Sequence, residues 1–300
     1  AYGTRSSVAV RLSDVTVAAL AQAVPDEVPS IGTGQASILL VSIPDFKTGK
    51  TQVSVLQPLI GGSGARPTDD GVDGVDVIMN FLRNVPTETV ESEMPPIFIS
   101  HYRLLPDTGG PGKHRGGMGT EIEFMTTSPY TVVTARCMER YIFPPPGRLG
   151  AWPGTTGYTT LNPGTPREQD IGKVDVLEMS PGDRLLIGTQ GGGGFGDPLE
   201  RPIELVLEDV LNGLVSPKMA REAYGVVVDE RGRCDEADTL RLRQEMRQAR
   251  RWSTPPAFSF GAARDAYRER WSVALEDALN AAVQHLPTLL RQFFHRLLKQ

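Results

Sequence analysis

Apolar and polar positions follow a strand-like pattern over the first two thirds of the chain. The runs SILLVSI at 37–43 and TQVSVLQPLI at 51–60 flank a polar turn at 45–50 and predict a hairpin. Further runs rich in β-branched and aromatic residues predict strands at 97–105, 120–126, 130–139, 174–180 and 183–189. One helix precedes them, at 12–24, where Pro25 ends the pattern and one face collects Leu12, Val15, Ala19, Leu20 and Ala23.

The last third changes to the helical period. An amphipathic helix is predicted at 202–213, with Pro202 in its first turn and Gly213 at its end. A second is predicted at 216–225, between the N-cap Ser216 and Gly225. After these we predict a short strand at 226–230, a charged helix at 235–251 and helical patterns near 262–285 and 288–299. The chain is therefore predicted to be α+β, with a β-rich body over 1–200 and a helical region over 201–300.

Glycine and proline change this picture by adding extended segments that are neither strand nor helix. The chain has 32 glycines and 24 prolines, and no Gly-X-Y period runs through them, so a collagen-like fold is excluded. The stretch 144–166 is rich in proline, glycine and threonine and predicts polyproline-II-like backbone. The hydrogen-bond partners of such backbone must come from neighbouring segments.

Charge and cysteine content narrow the class of protein. The net charge is −5 and the isoelectric point is near 5.5, which argues against a general nucleic-acid binder. Two cysteines without a CxxC pattern indicate a reducing compartment, and the sequence shows neither a bilayer-spanning run nor a leader pattern. We therefore expect a cytoplasmic protein without a membrane or nucleic-acid partner. The chain does not begin with methionine.

The segment GGGGFG at 191–196 contains the spacing of a dinucleotide-binding loop between a predicted strand and a predicted helix. The following helix is interrupted, the acidic pair at 229–230 comes late, and no further βα alternation follows. These features favour a segment that packs backbone against backbone, with Asp197 and Pro198 forming a turn.

The segment GGPGKHRGGMG at 109–119 places Lys113, His114 and Arg115 in a glycine-rich loop. One interpretation is a concave loop whose backbone N–H groups and cationic side chains bind a carboxylate or phosphate. The alternative is a solvated basic turn between strands. The ending is not that of a P-loop.

Acidic residues cluster in ARPTDDGVDGVD, which includes Asp70 and Asp73. The EF-hand pattern fails at Gly71 and Asn80, so the cluster is not predicted to be a calcium loop of that type. Carboxylates can activate water as general bases or bind metals. We therefore take Asp70, Asp73 and Glu88 as candidate catalytic residues and Asn80 as a further polar group at the site, and leave the metal content open.

Three other features have plain structural interpretations. Cys137 lies in an apolar run and is predicted to be a small core residue rather than a nucleophile. His101 and His114 flank one loop and could meet in space, but their spacing does not indicate zinc. The basic amphipathic tail after Pro287 is predicted to dock onto protein, the alternative being a membrane surface.

Four segments together resemble the hydantoinase B/oxoprolinase family. They are GGSGARPTDDGVDGV, LLPDTGGPGKHRGGMGTEIEF, the stretch from PGDRLLIGTQGGGGFGDPLER to REAYGVV, and FSFGAARDAYRERW. The resemblance runs nearly from end to end, and it is to the C-terminal portion of such subunits. Family members usually carry a His and then Thr-Asn after DGVDGV, whereas this chain continues with DVIMN, so Asn80 matches and the His does not.

The resemblance implies a β-sheet body in a barrel-like arrangement beside polyproline-like segments. It also implies an ATPase partner of the hydantoinase A type that binds ATP with magnesium, and an N-terminal portion of the same subunit type. The implied reactions are ATP-dependent opening of cyclic amides such as hydantoins, 5-oxoproline and lactams, or ATP-dependent carboxylation of ketones. A non-catalytic assembly module is the alternative of a different class. The candidate site residues above come from their chemistry and not from the family.

Overall fold

A computed structural model describes residues 5–34, 36–45, 48–76, 86–229, 232–250, 252–287, 290–291 and 293–294. The chain divides into two units, Ala1–Phe260 and Gly261–Gln300. No helix within these described residues is long and apolar enough to cross a bilayer.

Two antiparallel sheets form the body of the first unit. The four-stranded sheet has the order β2-β1-β5-β9, from β1 (Ala36–Asp45), β2 (Lys50–Ile60), β5 (Thr131–Arg136) and β9 (Val176–Met179). The five-stranded sheet has the order β3-β4-β10-β7-β8, from β3 (Ile97–Leu105), β4 (Gly119–Thr126), β10 (Arg184–Gly188), β7 (Tyr158–Leu161) and β8 (Gln169–Asp170). A small third sheet joins β6 (Gly147–Arg148) to β11 (Phe258–Ser259). The predicted β-rich body of two sheets is confirmed, and the described strands leave both sheets open rather than closed into a barrel.

The core lies between the two larger sheets. Alternate residues of β1 point inward, so that Leu39 and Val41 are fully buried, and Phe124 of β4 and Leu185 of β10 meet them from the other sheet. Each such side chain contributes roughly 1.5–3 kcal/mol by leaving water. The predicted hairpin is confirmed, with β1 and β2 paired from Ala36–Ile60 to Asp45–Lys50.

A bundle of extended glycine-rich segments adjoins the sandwich, which confirms the backbone-against-backbone interpretation of residues 191–196. Its amide hydrogens are donated to carbonyls of neighbouring segments: Gly62 to Gln190 at 3.0 Å, Gly192 to Gly117 at 2.9 Å and Gly110 to Gly192 at 2.8 Å. A Cβ on Gly192 would overlap the carbonyl oxygen of Ser63. We call the segments 28–34, 61–65, 69–74, 109–118, 144–154 and 189–196 the glycine bundle.

Helices complete the first unit and form the second. The first unit holds α1 (Arg5–Ala23), α2 (Thr87–Glu93), α3 (Ile203–Leu211), α4 (Pro217–Tyr224) and α5 (Glu236–Gln248), and the second holds α6 (Ala262–Arg270) and α7 (Val273–Val283). Ser216 caps α4 at the N-terminus, and Gly225 follows it with φ of 62°. Helices α3 and α4 pack around Val206, Ala220 and Tyr224.

Three details differ from the prediction. The described part of 226–230 is not a strand, because its ladder is limited to one bridge between Val228 and Cys234. The helix expected over 262–285 is broken, because Ser272 accepts a hydrogen bond from the N–H of Leu275 and starts a new helix. The tail at 288–299 falls largely outside the described residues, so its docking remains a prediction.

The apolar face predicted for α1 is exposed. Leu12 and Val15 are 63% and 66% exposed, whereas the buried positions of this helix include Val10 and Asp14. Asp14 accepts a hydrogen bond from Arg140 at 2.8 Å. The helix therefore faces the body with Val10 and Asp14 and not with its predicted apolar stripe.

We expect one methyl group added within the glycine bundle to lower the free energy of unfolding strongly. Gly192→Ala should destabilise the protein by about 3 kcal/mol or prevent folding, because backbone atoms cannot move aside as a flexible side chain would. The matched control is Gly182→Ala, at a turn with open space, which should cost only about 1–2 kcal/mol for its φ of 84°. Urea unfolding midpoints and soluble yield measure both, and equal midpoints for the two variants would contradict the role of close backbone approach.

Candidate functional site

The glycine bundle brings the predicted acidic and basic segments side by side. Gly71 donates its N–H to the carbonyl of Arg115 at 2.7 Å, and Gly74 donates to that of Met118 at 2.8 Å. A side chain on Gly71 would collide with the backbone of Gly117. The 69–74 and 113–118 segments are therefore held in contact, and Asp70 and Asp73 lie beside Arg115.

These residues form part of a buried ionic cluster. Arg115 donates to Asp73 from Nη1 at 2.7 Å and Nη2 at 3.1 Å, and from Nε to Asp209 at 2.9 Å. Arg201 donates to both carboxylate oxygens of Asp70 at 2.7 Å and to Asp209 at 2.8 Å. We call Asp70, Asp73, Arg115, Arg201 and Asp209 the arginine–aspartate cluster. Asp209 bridges its two guanidinium groups.

Three carboxylates face two guanidinium groups in this cluster, and backbone donors supply the remaining hydrogen bonds. The N–H of Arg115 donates to Asp70 and the N–H of Met118 donates to Asp73, both at 2.8 Å. The side chain of Arg201 is 1% exposed, so its charge is withdrawn from water almost completely. Such a charge is stable only when paired and hydrogen-bonded as it is here.

The electrostatics keep the carboxylate of Asp70 ionised. Burial acts to raise the pKa of Asp70, but the hydrogen bond and charge of Arg201, with Arg115 beside it, hold that pKa below its ordinary value. Burial likewise acts to lower the pKa of Arg115, but Asp73 and Asp209 raise it. A carboxylate with a lowered pKa and occupied oxygens is a weak proton acceptor. The contacts of Asp70 and Asp73 therefore favour a positioning role, and their predicted catalytic role stays a prediction.

Arg201 and Asp209 were not among the predicted site residues. Arg201 follows a short 3₁₀ turn at Pro198–Glu200, which Asp197 caps through the N–H of Leu199. Asp209 lies in α3, within the apolar stripe that includes Val206 and Val210. A charged residue within a buried apolar stripe requires a partner of opposite charge, and this feature of the sequence could have identified Asp209.

The other predicted site residues lie apart from the cluster or at its edge. His114 Nδ1 is 4.0 Å from Asp70, and burial lowers the pKa of His114. Lys113 is exposed, while its carbonyl accepts from Arg201. Glu88 is exposed in the first turn of α2 and accepts a hydrogen bond from Thr87. Asn80 lies outside the described residues.

The loop at 109–119 does not present its amides as an anion-binding concavity. Gly116 donates to the carbonyl of Gly110, Gly117 to that of Ser63 and His114 to that of Phe195. The glycines of this loop do not have positive φ; they are required by the close approach of backbone. Within the described residues, no group of three or more His, Cys, Asp or Glu side chains could hold a metal ion.

A second polar arrangement lies on the outer face of the five-stranded sheet. Glu121 of β4 accepts hydrogen bonds from Arg103 Nε at 2.9 Å and from the hydroxyl of Tyr158, and its Oε1 lies 3.0 Å from His101 Nε2. We call His101, Arg103, Glu121 and Tyr158 the outer-face cluster. Its neighbour Ile122 points into the core.

A β-bulge places His101 and Arg103 on this face. In β3 the register shifts between Ile99 and His101, so that Ile99 pairs with Phe124 while His101 pairs with Glu123. Without the extra residue, His101 would continue the inward alternation of Ile97 and Ile99. The sequence left open whether His101 and His114 meet in space. In the structure they have different carboxylate neighbours, which are Glu121 for His101 and Asp70 for His114.

Glu121 stays ionised in this arrangement. Burial acts to raise its pKa, but the hydrogen bonds from Tyr158, Arg103 and His101 outweigh burial and lower it. Burial and the neighbouring carboxylate raise the pKa of Tyr158, so this hydroxyl remains protonated as a donor. The alternation of Glu121 and Glu123 with apolar residues signalled a polar sheet face, whereas no sequence feature located the bulge.

The sequence and the fold of this chain are similar to those of known proteins. Residues 1–198 match the family described as Hydantoinase B/oxoprolinase. The beta chain of the caprolactamase of Pseudomonas jessenii is 34% identical over 241 residues, which are 76% of this chain and 40% of that protein. A crystal structure of the ATP-dependent caprolactamase from the same organism aligns with a TM-score of 0.62 and 30% identity, over 75% of this chain and 40% of that one.

Two further relatives differ in the activity their names give. The B-type component of a putative D-/L-hydantoinase from Pseudomonas sp. (strain NS671) is 29% identical over 78% of this chain and 38% of that protein. The acetone carboxylase alpha subunit of Xanthobacter autotrophicus is 27% identical over 63% of this chain and 29% of that protein. The chain thus spans about two fifths or less of the length of these relatives.

Removing the bridging carboxylate should destabilise the protein strongly. Asp209→Asn removes the one carboxylate that accepts hydrogen bonds from both buried guanidinium groups and places an amide N–H donor against one of them, which should cost about 3–5 kcal/mol. The matched control is Glu245→Gln, which removes an exposed partner 3.8 Å from Arg241 and should cost less than about 0.5 kcal/mol. Urea unfolding compares the two, and a similar small effect of both substitutions would show that the cluster contributes little.

The lowered pKa of Asp70 predicts a pH dependence of stability. Its contribution is fully present above the unfolded value of about 3.9 and is lost as the pH falls through the lower folded value. The free energy of unfolding should therefore fall less steeply on acidification below about pH 4 in Asp70→Asn than in the parent chain. Urea unfolding from pH 7 to pH 2 measures this, and parallel curves for the two proteins would contradict it.

Proposed function

The chain belongs to the hydantoinase B/oxoprolinase family, and from this we propose that it is a portion of a hydantoinase B-type subunit of an ATP-dependent cyclic-amide hydrolase. Its substrates would be hydantoins, 5-oxoproline or other lactams. Its companions would be a hydantoinase A-type ATPase and the remaining part of the same subunit type. The observation that carries the proposal is the similarity, in sequence and in structure, to the ATP-dependent caprolactamase.

The glycine segments of this chain are unsuited to binding a nucleotide. The N–H groups of Gly192, Gly193 and Gly194 donate to the carbonyls of Gly117, Ile31 and Trp152 at 2.9–3.1 Å. A phosphate-binding loop needs such groups free to point at the phosphates. This supports assigning ATP, with magnesium, to the proposed ATPase partner.

The contribution proposed for this chain is a rigid wall for the amide site. When ATP is used to open a lactam, the phosphorylated amide must react with a positioned water before this intermediate escapes into solvent. A preorganised site holds the intermediate and the water together. The arginine–aspartate cluster locks the wall by tying the glycine bundle to α3. Lys113 and His114 remain the candidates for binding an anionic group, and Glu88, whose carboxylate is exposed, remains a predicted catalytic residue.

An ATP-dependent ketone carboxylase is the second candidate. The 27% identity to the acetone carboxylase alpha subunit favours it. Its identity and coverage are lower than those of the caprolactamase beta chain, so the hydrolase is preferred. A non-catalytic assembly module is the third, because the saturated contacts of Asp70 and Asp73 suit a structural role.

A reconstituted complex separates these candidates. The complete subunit mixed with its ATPase partner should hydrolyse ATP only when a lactam, a hydantoin or 5-oxoproline is present, and the ring-opened amino acid should form in step with phosphate. Phosphate release and mass spectrometry of the product measure this. Omission of the subunit is the control, and it should abolish lactam dependence.

Other outcomes of the same assay reject the hydrolase. Turnover with a ketone and bicarbonate, but with no cyclic amide, would replace it by the carboxylase. Full activity of the triple variant Asp70→Asn, Asp73→Asn and Glu88→Gln, with dispersal of the complex on deletion of the tail, would favour the assembly module. Glu93→Gln is the matched control for Glu88→Gln, because it removes another exposed charge from α2.

A further inference from the structure

The outer-face cluster holds an imidazole as acid–base enzymes do. His101 Nε2 lies 3.0 Å from Oε1 of Glu121, whose side chain is 6% exposed. The other carboxylate oxygen of Glu121 accepts from the hydroxyl of Tyr158, so the carboxylate is held at both ends. This contact leaves Nδ1 as the ring nitrogen without a hydrogen-bond partner in the described chain. A carboxylate that orients one ring nitrogen while the other is available is the arrangement of a general base and its orienting group.

Three local features converge on this cluster. The bulge in β3 turns His101 and Arg103 outward. Gly188 of β10 leaves room for the ring of Tyr158, which a Cβ at this position would overlap. Glu121 is a nearly buried charge on a sheet face, which needs donors on every side to be stable. Bulges are over-represented at sheet edges, where β3 lies, and next to active sites, where they re-aim a side chain.

The exposed groups of the cluster suit a small polar ligand. The side chain of His101 is 31% exposed and that of Arg103 is 63% exposed. Arg103 uses Nε and Nη2 on Glu121, which leaves Nη1 without an acceptor among the described residues. A guanidinium N–H beside an imidazole can donate to an oxygen of the amide or of its phosphorylated form.

We propose that His101 is the acid–base residue for cyclic-amide opening, with Glu121 and Tyr158 as positioning residues and Arg103 as donor to the substrate oxygen. This inference rests on the proposed function. In the step, a lone pair of the water oxygen forms the bond to the activated amide carbon, an O–H bond of that water breaks to give its proton to Nδ1 of His101, and the C=N π pair moves to the ring nitrogen. The ring C–N bond then breaks, its electron pair and the proton held on Nδ1 go to the ring nitrogen, and a second water releases phosphate from the acyl carbon. ATP, used by the partner, supplies the activation.

A stabilising ion network between strands is the competing explanation, and the same sheet face carries a matched control for it. Arg184 Nη1 of β10 lies 3.3 Å from Glu123 Oε1 of β4, with side-chain exposures of 36% and 11%. This pair links strands in the same way but has no imidazole. A purely structural role would make substitutions in the two arrangements equivalent.

The first test uses the complete subunit with its ATPase partner and a lactam that the parent complex opens. His101→Gln should lower kcat by about 10²-fold or more while KM for the lactam changes little, since the loss is in proton transfer. Glu121→Gln should lower kcat less, and Glu123→Gln should leave it unchanged. Equal kcat for His101→Gln and Glu123→Gln would overturn the proposal.

The second test uses the chain alone and does not depend on turnover. Diethyl pyrocarbonate acylates neutral, accessible imidazole nitrogens, and peptide mass spectrometry reports each histidine separately. His101 should react faster than His114, whose side chain is 18% exposed, and Glu121→Gln should slow its reaction. An unreactive His101 overturns the inference even if the complex opens lactams. His101 could also react with the reagent in a manner that depends on Glu121 while the complex opens no lactam. That result would support His101 as a base and refute the proposed function.

Discussion

Close approach of side-chain-free backbone governs how the segments beside the two sheets can pack. In the glycine bundle a carbonyl of one segment occupies the space where the Cβ of another would stand, as Ser63 does at Gly192. The same carbonyls accept the amide hydrogens that would otherwise be buried without partners. Proximity and hydrogen bonding therefore cannot be separated: a methyl group that moves one segment away also breaks its neighbour's hydrogen bond. This makes the bundle rigid without a regular ladder.

The two polar clusters show how burial divides the roles of similar residues. In the arginine–aspartate cluster, Arg201 and Asp209 are almost completely withdrawn from water, and their charges are committed to one another. Loss of one partner there leaves a desolvated charge, so the expected effect is on stability. In the outer-face cluster the carboxylate is buried while His101 and Arg103 reach solvent. Because a ligand can approach them, the expected effect there is on chemistry.

Periodicity predicted most of the elements, because strands and helices leave a local record in the chain. The hairpin of β1 and β2, the cap of α4 at Ser216 and the extended backbone near 191–196 were all readable from neighbouring residues. Contacts between residues distant in sequence could not be predicted in this way, because Asp70 and Arg201 are 131 residues apart. The exposure of the apolar stripe of α1 was not predicted either, because the periodicity locates an apolar face but does not show whether another segment packs on it. The bulge at His101 reverses the side-chain alternation through one added residue, which no period reveals.

The chain itself connects the two clusters. Asp73 fixes the backbone N–H of Met118, and β4 begins at the next residue, Gly119. Thr120 then donates its hydroxyl to the carbonyl of Ile60, and Glu121 follows directly. These two contacts fit the register in which β4 enters the sheet, and a shift of one residue would break them and carry Glu121 to the core face. The contact between Asp73 and the backbone of Met118 thereby lies only three residues from the carboxylate that contacts His101.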